Sequence, residues 1–421
     1  MNCKKQTAIK TTLVETRKRR KDQTARSYTL KLDKSHLGAK KAILERLFLE
    51  VKWFSNHALE NQLKVDCLIK TVRVKVGSRF EERAINLPSQ VRQEVLDWMR
   101  DDVRSLHAKK VKGYRVGRLR FKRVVNAIPL KQYGITYLIA GSHVRVQGVG
   151  WLRVNGADQI PADAEMASAT LVRRHGDYYL HVNTFTPKEK NKNGLAIGSD
   201  FGIKNQVTFS NGVQINYAVP LPKRLRGLCK SLSRKKGSRK GERKSKSWLK
   251  ALAKVQQAYA AHTNHKRDIR NKMFHFLRAN YQYVAFQNDC VAGWQRLWGR
   301  RILESSIGGL RSTFFRVDTP IEVPRFYPST MTCSGCGHVQ RVGLDERVFR
   351  CEKCGLEIDR DLNSANNNLT EGLRSVGVTP VEKETSILML KYFNSILGVR
   401  ASLIREAGSP QALAVGSSPP L

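Results

Sequence analysis

The stretch LAIGSDFG, residues 195–202, is an apolar run that ends on one acidic residue, Asp200, with a glycine on either side. It predicts a buried strand, and a second strand is expected at 206–209, before a Ser-Asn-Gly turn. A carboxylate at the end of a central strand can bind a hard divalent cation. An aspartate at such a position is more often a solvated turn residue, so Asp200 alone is a weak candidate.

A stronger signal lies downstream, in four closely spaced cysteines. They form two C-x-x-C pairs with fourteen residues between them: Cys333 and Cys336, then Cys351 and Cys354. Each pair can turn two thiolates toward one ion, and two pairs complete a tetrahedral zinc site. Closed four-cysteine sites are structural, so we expect a zinc ribbon that is not itself the catalyst. The other four cysteines are scattered, which is typical of a reducing, cytosolic compartment.

Directly after the second cysteine pair, the stretch DRDLNSA at 359–365 carries another acidic candidate. Asp361 lies near the expected start of a helix that continues with small residues. Aspartate is favoured as a helix cap, so taken singly Asp361 is better explained as a cap than as a metal ligand.

The charge of the chain points to a polyanionic partner. Lysine and arginine number 76 against 35 acidic residues, a net charge of +41, while the hydrophobic fraction is 41%. The charge would repel itself unless a polyanion neutralised it, and the hydrophobic content excludes a disordered basic tail. No apolar run reaches the roughly 18 residues of a membrane span, and no signal-peptide pattern follows the basic N-terminus. We therefore expect nucleic acid as the partner, no membrane, and a cytoplasmic, nucleoid-associated protein.

Two basic segments are candidates for nucleic-acid contact. Residues 109–123 interleave basic and aromatic side chains, and residues 223–250 hold thirteen Lys or Arg and one acid. Basic side chains can contact phosphates and aromatic rings can stack on bases. The first segment fits a solvated edge strand equally well, and the second fits a long basic helix or a hairpin. The candidate residues are Arg115, Arg118, Arg120, Lys122, Lys235, Lys236, Arg239 and Lys240.

In combination these motifs resemble a known family. GSDFG, YPSTMTCSGCG and CEKCGLEIDRDLNSANNNL occur in the order found in the TnpB proteins of insertion sequences and their relatives, the compact type V CRISPR effectors. TNHKRDIRNKMFHFL and EAGSP are also similar to that family. The resemblance implies an α+β multidomain fold: an N-terminal wedge β-barrel with an inserted helical recognition lobe, then a RuvC-like, RNase H-type α/β domain with an inserted four-cysteine zinc ribbon.

The resemblance and the residue pattern together give a domain plan. We expect a basic tail and first barrel strand at 1–33, the helical lobe at 34–108, the wedge barrel at 109–187, the first part of the RuvC-like domain at 194–330, the zinc ribbon at 331–355, the last part of the RuvC-like domain at 356–385, and a largely disordered tail at 386–421.

The resemblance also implies an activity, RNA-guided cleavage of double-stranded DNA beside a short flanking motif, with a guide RNA as partner. The family cleaves with three carboxylates that hold two Mg²⁺ ions, and Asp200 and Asp361 match the first and third. Two ions about 3.5–4 Å apart activate the attacking water and stabilise the leaving oxygen. Several carboxylates must therefore converge on one point.

The second acidic position departs from the family pattern, because Gln287 stands where a glutamate is usual. Asp289, two residues on, would point to the same side of a strand and is our candidate for the remaining ligand. Glu304 and Glu322 are fallback candidates. Two alternatives to the nuclease follow. The protein could be a nuclease-deficient, RNA-guided DNA-binding protein that represses transcription. Less favoured is a transposase-like strand transferase, because RNase H-type folds also serve transposases.

Overall fold

The structure is a computed structural model that describes residues 12, 14–76, 79–188, 191–237, 243–343, 345–379, 385–396 and 399–404. The chain divides into two compact units, residues 1–188 and 189–421. Among the described residues, no helix is both long enough and apolar enough to span a membrane.

The first unit contains a seven-stranded antiparallel sheet that is interrupted in sequence by a helical segment. Its spatial order is β4-β8-β9-β1-β7-β6-β5, with β1 at its centre. Alternation along β1 buries Leu30 and Leu32 completely, which is why this strand occupies the middle of the sheet. The strands are β1 (Gln23–Leu32), β4 (Ala127–Leu130), β5 (Tyr137–Ala140), β6 (His143–Val146), β7 (Gly150–Asn155), β8 (Glu165–Arg174) and β9 (Asp177–Pro187).

The segment between β1 and β4 holds two helices and a hairpin: α1 (Lys40–Glu60), β2 (Thr71–Val76), β3 (Arg79–Ala84) and α2 (Ser89–Val111). The apolar face of α1 is buried at Leu44, Leu47, Val51 and Phe54, whereas Ile43 is 42% exposed. The edge-strand interpretation of residues 109–123 is wrong. Helix α2 continues to Val111 and residues 112–126 contain no strand.

The second unit is built on a six-stranded mixed sheet of order β14-β13-β10-β11-β12-β17. The three strands at one side are mutually parallel, and β10 to β17 continue antiparallel. The apolar run around residue 197 forms β10, as its sequence predicts. The strands are β10 (Ala196–Asp200), β11 (Val207–Phe209), β12 (Val213–Asn216), β13 (Tyr283–Gln287), β14 (Thr319–Val323) and β17 (Arg400–Leu403).

Helices surround this sheet, and one of them, α7, lies unusually close to it. A side-chain carbon added at Gly198 on β10 would be 2.2 Å from the carbonyl oxygen of Ala365, and one at Gly372 would be 2.8 Å from Ala285. Only glycine permits this approach of backbones. The helices are α3 (Lys223–Ser233), α4 (Lys246–Asn280), α5 (Val291–Ser305), α6 (Ile307–Phe314), α7 (Arg360–Val376) and α8 (Ser386–Asn394).

The basic stretch at 223–250 forms a helical hairpin, since α3 and α4 pack against each other. The expectation of a disordered tail at 386–421 is wrong for its described part. Met389 and Phe393 of α8 are completely buried, and β17 pairs with β12. An apolar helix face and an open sheet edge are enough to order this segment. Residues 405–421, which include EAGSP, lie outside the described residues.

Candidate active site

The four cysteines form a compact cluster. Their Sγ atoms all lie within 4.8 Å of one another, with 3.6 Å between Cys333 and Cys354 and between Cys336 and Cys351. Backbone N–H groups at residues 353 and 354 lower the pKa of the Cys351 thiol, which favours the thiolate that binds metal. Strands β15 (Val348–Arg350) and β16 (Glu357–Asp359) pair beside the second cysteine pair. The cluster fits a tetrahedral zinc site, as the spacing predicts.

The knuckle geometry explains the glycine after each second cysteine. Gly337 donates to the carbonyl of Cys333 over 2.9 Å, and Gly355 donates to that of Cys351 over 3.0 Å. Both glycines have φ of 73°, in the left-handed region where other residues are strained. The two pairs therefore have the same backbone turn.

Asp200 is the last residue of β10, and its carboxyl group is strongly perturbed. Its pKa is raised well above the ordinary value, first by burial and then by repulsion from Asp361 and Asp289. The hydroxyl of Ser364 donates to its Oδ1 over 2.9 Å and partly opposes that rise. The structure therefore brings the three candidate acids into one electrostatic cluster.

Asp361 is the second residue of α7, and the cap position belongs to another residue. Asp359 accepts hydrogen bonds from the backbone N–H groups of residues 361 and 362, each over 3.0 Å. The interpretation of Asp361 as a cap is therefore wrong. Its carboxylate is left to face Asp200, with the Arg360 guanidinium 3.5 Å away.

Asp289 reaches the cluster by a different route from the one the strand pattern predicts. Strand β13 ends at Gln287, and Asp289 lies in the turn that follows, where its N–H donates to the carbonyl of residue 287. Burial raises the pKa of Asp289 to about 6, against the opposing effect of Arg311 and Arg325. The argument from strand alternation is thus wrong, although Asp289 does act electrostatically on Asp200.

The fallback acids have other partners. Glu322 is exposed on β14, and its carboxylate lies 3.7 Å from the guanidinium of Arg311. Burial lowers the pKa of Lys266, Glu304 on α5 opposes that shift, and the Lys266 ammonium donates to the carbonyl of Leu303. Among the described residues, the four cysteines are the one group of three or more potential ligands with all donor atoms within 4.8 Å. The carboxylates are therefore more widely spaced than the thiols.

Gln287 is buried and is held by hydrogen bonds on both sides of its amide. Its Oε1 accepts from the hydroxyl of Ser329 over 2.8 Å. The hydroxyl of Ser364 lies 2.9 Å from that of Ser329 and 2.9 Å from Asp200. The Nε2 group donates to the backbone carbonyls of three residues: Pro324 (3.2 Å), Arg325 (3.2 Å) and Tyr327 (2.6 Å). Two serines thus connect Gln287 to Asp200.

Buried asparagines on α7 attach this site to the cysteine cluster. Asn363 donates to the carbonyl of Thr332 and accepts from the N–H of Ser334, which lies inside the first C-x-x-C pair. Asn367 donates to the carbonyls of Ser329 and Thr332. The sequence reasoning missed these residues and Ser364. A signal was available, because polar residues recur at three- and four-residue steps on a helix that must pack against a sheet.

Only some of the basic candidate residues lie in the part of the chain that the structure describes. Four of them are exposed in the segment after α2, without a carboxylate partner among the described residues: Arg115, Arg118, Arg120 and Lys122. Lys236 is exposed and Lys235 is partly buried in the segment after α3. Arg239 and Lys240 lie outside the described residues.

The fold and these contacts define an α+β chain in which a strand-end aspartate, a helix-start aspartate and a four-cysteine cluster meet along one helix. A family model described as Cas12f1-like, TNB domain, matches residues 319–368, from β14 through the cysteines into α7. This match covers the cysteine cluster and Asp361.

Curated relatives extend the similarity. A candidate RNA-guided DNA endonuclease of Streptomyces pristinaespiralis is 29% identical over 237 residues, 53% of this chain and 57% of that protein. A TnpB-like protein of Acanthamoeba polyphaga mimivirus is 44% identical over 48 residues, 11% of this chain and 9% of that protein. The chain thus spans little more than half the length of the first relative. These matches confirm the resemblance to the TnpB-like proteins and their relatives among the compact type V CRISPR effectors.

Two solved structures are also similar. A Cas12f1–sgRNA–target DNA complex matches with a TM-score of 0.41 and 12% identity, over 82% of this chain and 98% of that one. CasPhi-2 (Cas12j) bound to crRNA matches with a TM-score of 0.37 and 11% identity, over 86% and 99% of the two chains.

Proposed function

We propose that this protein is an RNA-guided DNA endonuclease. In this proposal the second unit is a RuvC-like nuclease domain with an inserted zinc ribbon, and the sheet of the first unit is the wedge barrel with its inserted recognition lobe. The single observation that carries the proposal is that Asp200, Asp361 and Asp289 come from three separate elements, and that burial together with repulsion from the other two aspartates raises the pKa of Asp200. Such clusters mark functional sites, because they cost stability unless a cation neutralises them.

The donor chemistry fits magnesium, which prefers carboxylate oxygens. Asp200, Asp361 and Asp289 would hold two ions, which when bound supply an activated water and stabilise the leaving oxygen at the scissile phosphate. Ser364 orients the carboxylate of Asp200 through its 2.9 Å hydrogen bond. Arg311 and Arg325, which act on the pKa of Asp289, also favour an approaching phosphate backbone.

The net charge of +41 and the exposed basic residues after α2 support nucleic-acid partners. A guide RNA would neutralise much of this charge, and its pairing with one DNA strand would select the target. The protein would read a short flanking motif on the double-stranded DNA. We place this activity in the cytoplasm, at the nucleoid.

The test starts from the full chain purified with the RNA that accompanies it. That RNA is sequenced to find the guide, and a matched target plasmid library with randomised flanking sequence is offered with magnesium. We expect cleavage next to one flanking motif, and none with the Asp200→Ala variant. Tight RNA binding without cleavage across the library would contradict the proposal.

A second candidate function is RNA-guided DNA binding without cleavage, for transcriptional repression. It is favoured by the neutral Gln287, whose amide is committed to Ser329 and to three backbone carbonyls. It predicts target binding that Asp200→Ala leaves unchanged. Gain of cleavage in Asp289→Glu, which lengthens a carboxylate that acts on the pKa of Asp200, would support this second candidate further.

A further inference from the structure

A tight turn lies between β14 and the first cysteine pair, over residues 324–327. The N–H of Tyr327 donates to the carbonyl of Pro324 over 3.1 Å, which closes a four-residue turn with Arg325 and Phe326 at its corners. Corner residues of such a turn have few neighbours. Accordingly Phe326 is 91% exposed, the highest value among the large hydrophobic side chains of the described residues.

Hydrogen bonds from Gln287 hold this turn in place. The Nε2 group of that side chain donates to the carbonyls of Pro324, Arg325 and Tyr327, so it contacts the backbone on both sides of Phe326. On the other side of its amide, Oε1 accepts from the hydroxyl of Ser329. That hydroxyl lies 2.9 Å from the hydroxyl of Ser364, which donates to Asp200. An exposed aromatic ring is therefore held on a rigid support that belongs to the candidate active site.

Positive charge accompanies the ring. Arg325, its neighbour at the other corner, donates from Nε to the carbonyl of Asn288 over 3.2 Å, and it acts electrostatically on Asp289. A phosphate bound at the carboxylates would thus meet an arginine and an exposed phenylalanine on the same turn. This combination suits one nucleotide, since its phosphate is anionic and its base offers a flat face.

We propose that Phe326 stacks on a nucleobase of the single DNA strand that enters the carboxylate site, and that Gln287 is the positioning residue that presents the ring. This proposal deepens the proposed nuclease function and rests on it for the identity of the strand. It accounts for a neutral residue at position 287, because an amide NH2 group offers two N–H donors to the three carbonyls around it, whereas a carboxylate offers none. It also gives the solvent-exposed ring a partner, since stacking of an aromatic ring on a base contributes favourable binding free energy.

The first test measures binding, which does not depend on cleavage. The full chain with its own RNA is titrated with single-stranded DNA that carries 2-aminopurine at successive positions, with calcium in place of magnesium. We expect stacking to quench one position, and Phe326→Ala to remove that quench and weaken binding about tenfold. Phe326→Trp should restore both. Leu388→Ala, at an exposed apolar residue of α8, is the control and should change neither.

The second test separates stacking from a structural role. Abasic sites are moved through the strand, and affinity is measured for the protein with and without Phe326→Ala. Stacking predicts one position at which the abasic site weakens binding to the wild type but not to the variant. Equal losses at every position, or a tryptophan variant no better than alanine, would overturn the proposal. If the protein binds and quenches but never cleaves, the nuclease proposal fails while the stacking proposal stands.

Discussion

The cysteine cluster and the carboxylate cluster are two candidate metal sites connected by one helix, and they are organised in opposite ways. The cysteines all lie within 22 residues, and their Sγ atoms are already within 4.8 Å of one another. The carboxylates come from β10, from the turn after β13 and from α7, and the pKa of Asp200 is raised by burial and by its acidic neighbours. The first site is preassembled for its ion. The second keeps an ionisable group in an environment that disfavours its charge, as is typical of a site for chemistry.

The largest effect we predict tests this difference at the carboxylates. Asp200→Ala and Asp361→Ala should each lower the rate of target cleavage by about 10³-fold or more, because each removes oxygens needed to hold both ions. Single-turnover rates on a guided target measure this. The control is binding of the same target, which should change less than about threefold because guide pairing, and not the cations, selects the target. A cleavage rate within about tenfold of the wild type would contradict the assignment.

At the cysteine cluster we predict a loss of structure. Cys351→Ser should remove the bound zinc and lower the free energy of unfolding by more than about 4 kcal/mol. Cleavage should fall as well, because Asn363 and Asn367 anchor α7 to the cysteine pair and to Thr332. Metal content and guanidinium unfolding measure these effects. Cys229→Ser, outside the cluster, is the matched control. Retention of one zinc per chain by the Cys351 variant would be incompatible with a four-cysteine site.

The contrast also explains what could be predicted from sequence. The cysteine site depends on local spacing, so Cys333 to Cys354 could be assigned without a structure. Asp200 and Asp361 were weak candidates from strand and helix ends alone, and the order of motifs that resembles the TnpB family nominated them. The electrostatic effect of Asp289 on Asp200 could not be predicted, because the position of Asp289 depends on where β13 ends. The place of α8 and β17 was missed because burial of a short apolar helix is a tertiary effect.

Gln287 stands where the resembled family has a glutamate, but its side chain donates to backbone carbonyls. It therefore sharpens the comparison of the two sites. Gln287→Glu should not increase cleavage. It should lower the free energy of unfolding by about 1–3 kcal/mol, because the carboxylate would face the carbonyls of Pro324, Arg325 and Tyr327 in place of the donating amide. Thermal unfolding and single-turnover cleavage measure this. Gln282→Glu, at the partly buried glutamine directly before β13, is the control for replacing a glutamine by a glutamate. Increased cleavage by the Gln287 variant would instead show that a glutamate here reaches the metal site.

The smallest effect concerns the burial of the Asp289 carboxyl. The pKa of Asp289 is about 6 in the folded protein and 3.8 for the free side chain. Between pH 4 and 6 the unfolded chain has lost this proton while the folded one retains it, so the metal-free protein loses stability as pH rises through that window. Above pH 6 the full penalty is present, on the order of 1–3 kcal/mol. Asp289→Asn should therefore stabilise the metal-free protein at pH 7.5 and have little effect at pH 4.

Chemical unfolding at the two pH values measures this difference, with Asp268→Asn, at an exposed aspartate of α4, as the control that should show no such pH dependence. Magnesium should also affect the carboxylate site and the cysteine site differently. It should stabilise the wild type at pH 7.5 more than the Asp289 variant, because cation binding requires the ionised carboxylate. It should leave the contribution of the cysteine cluster unchanged, since thiolates are poor ligands for this ion. If magnesium stabilised both proteins equally, Asp289 would not be a ligand, and the carboxylate site would rest on Asp200 and Asp361 alone.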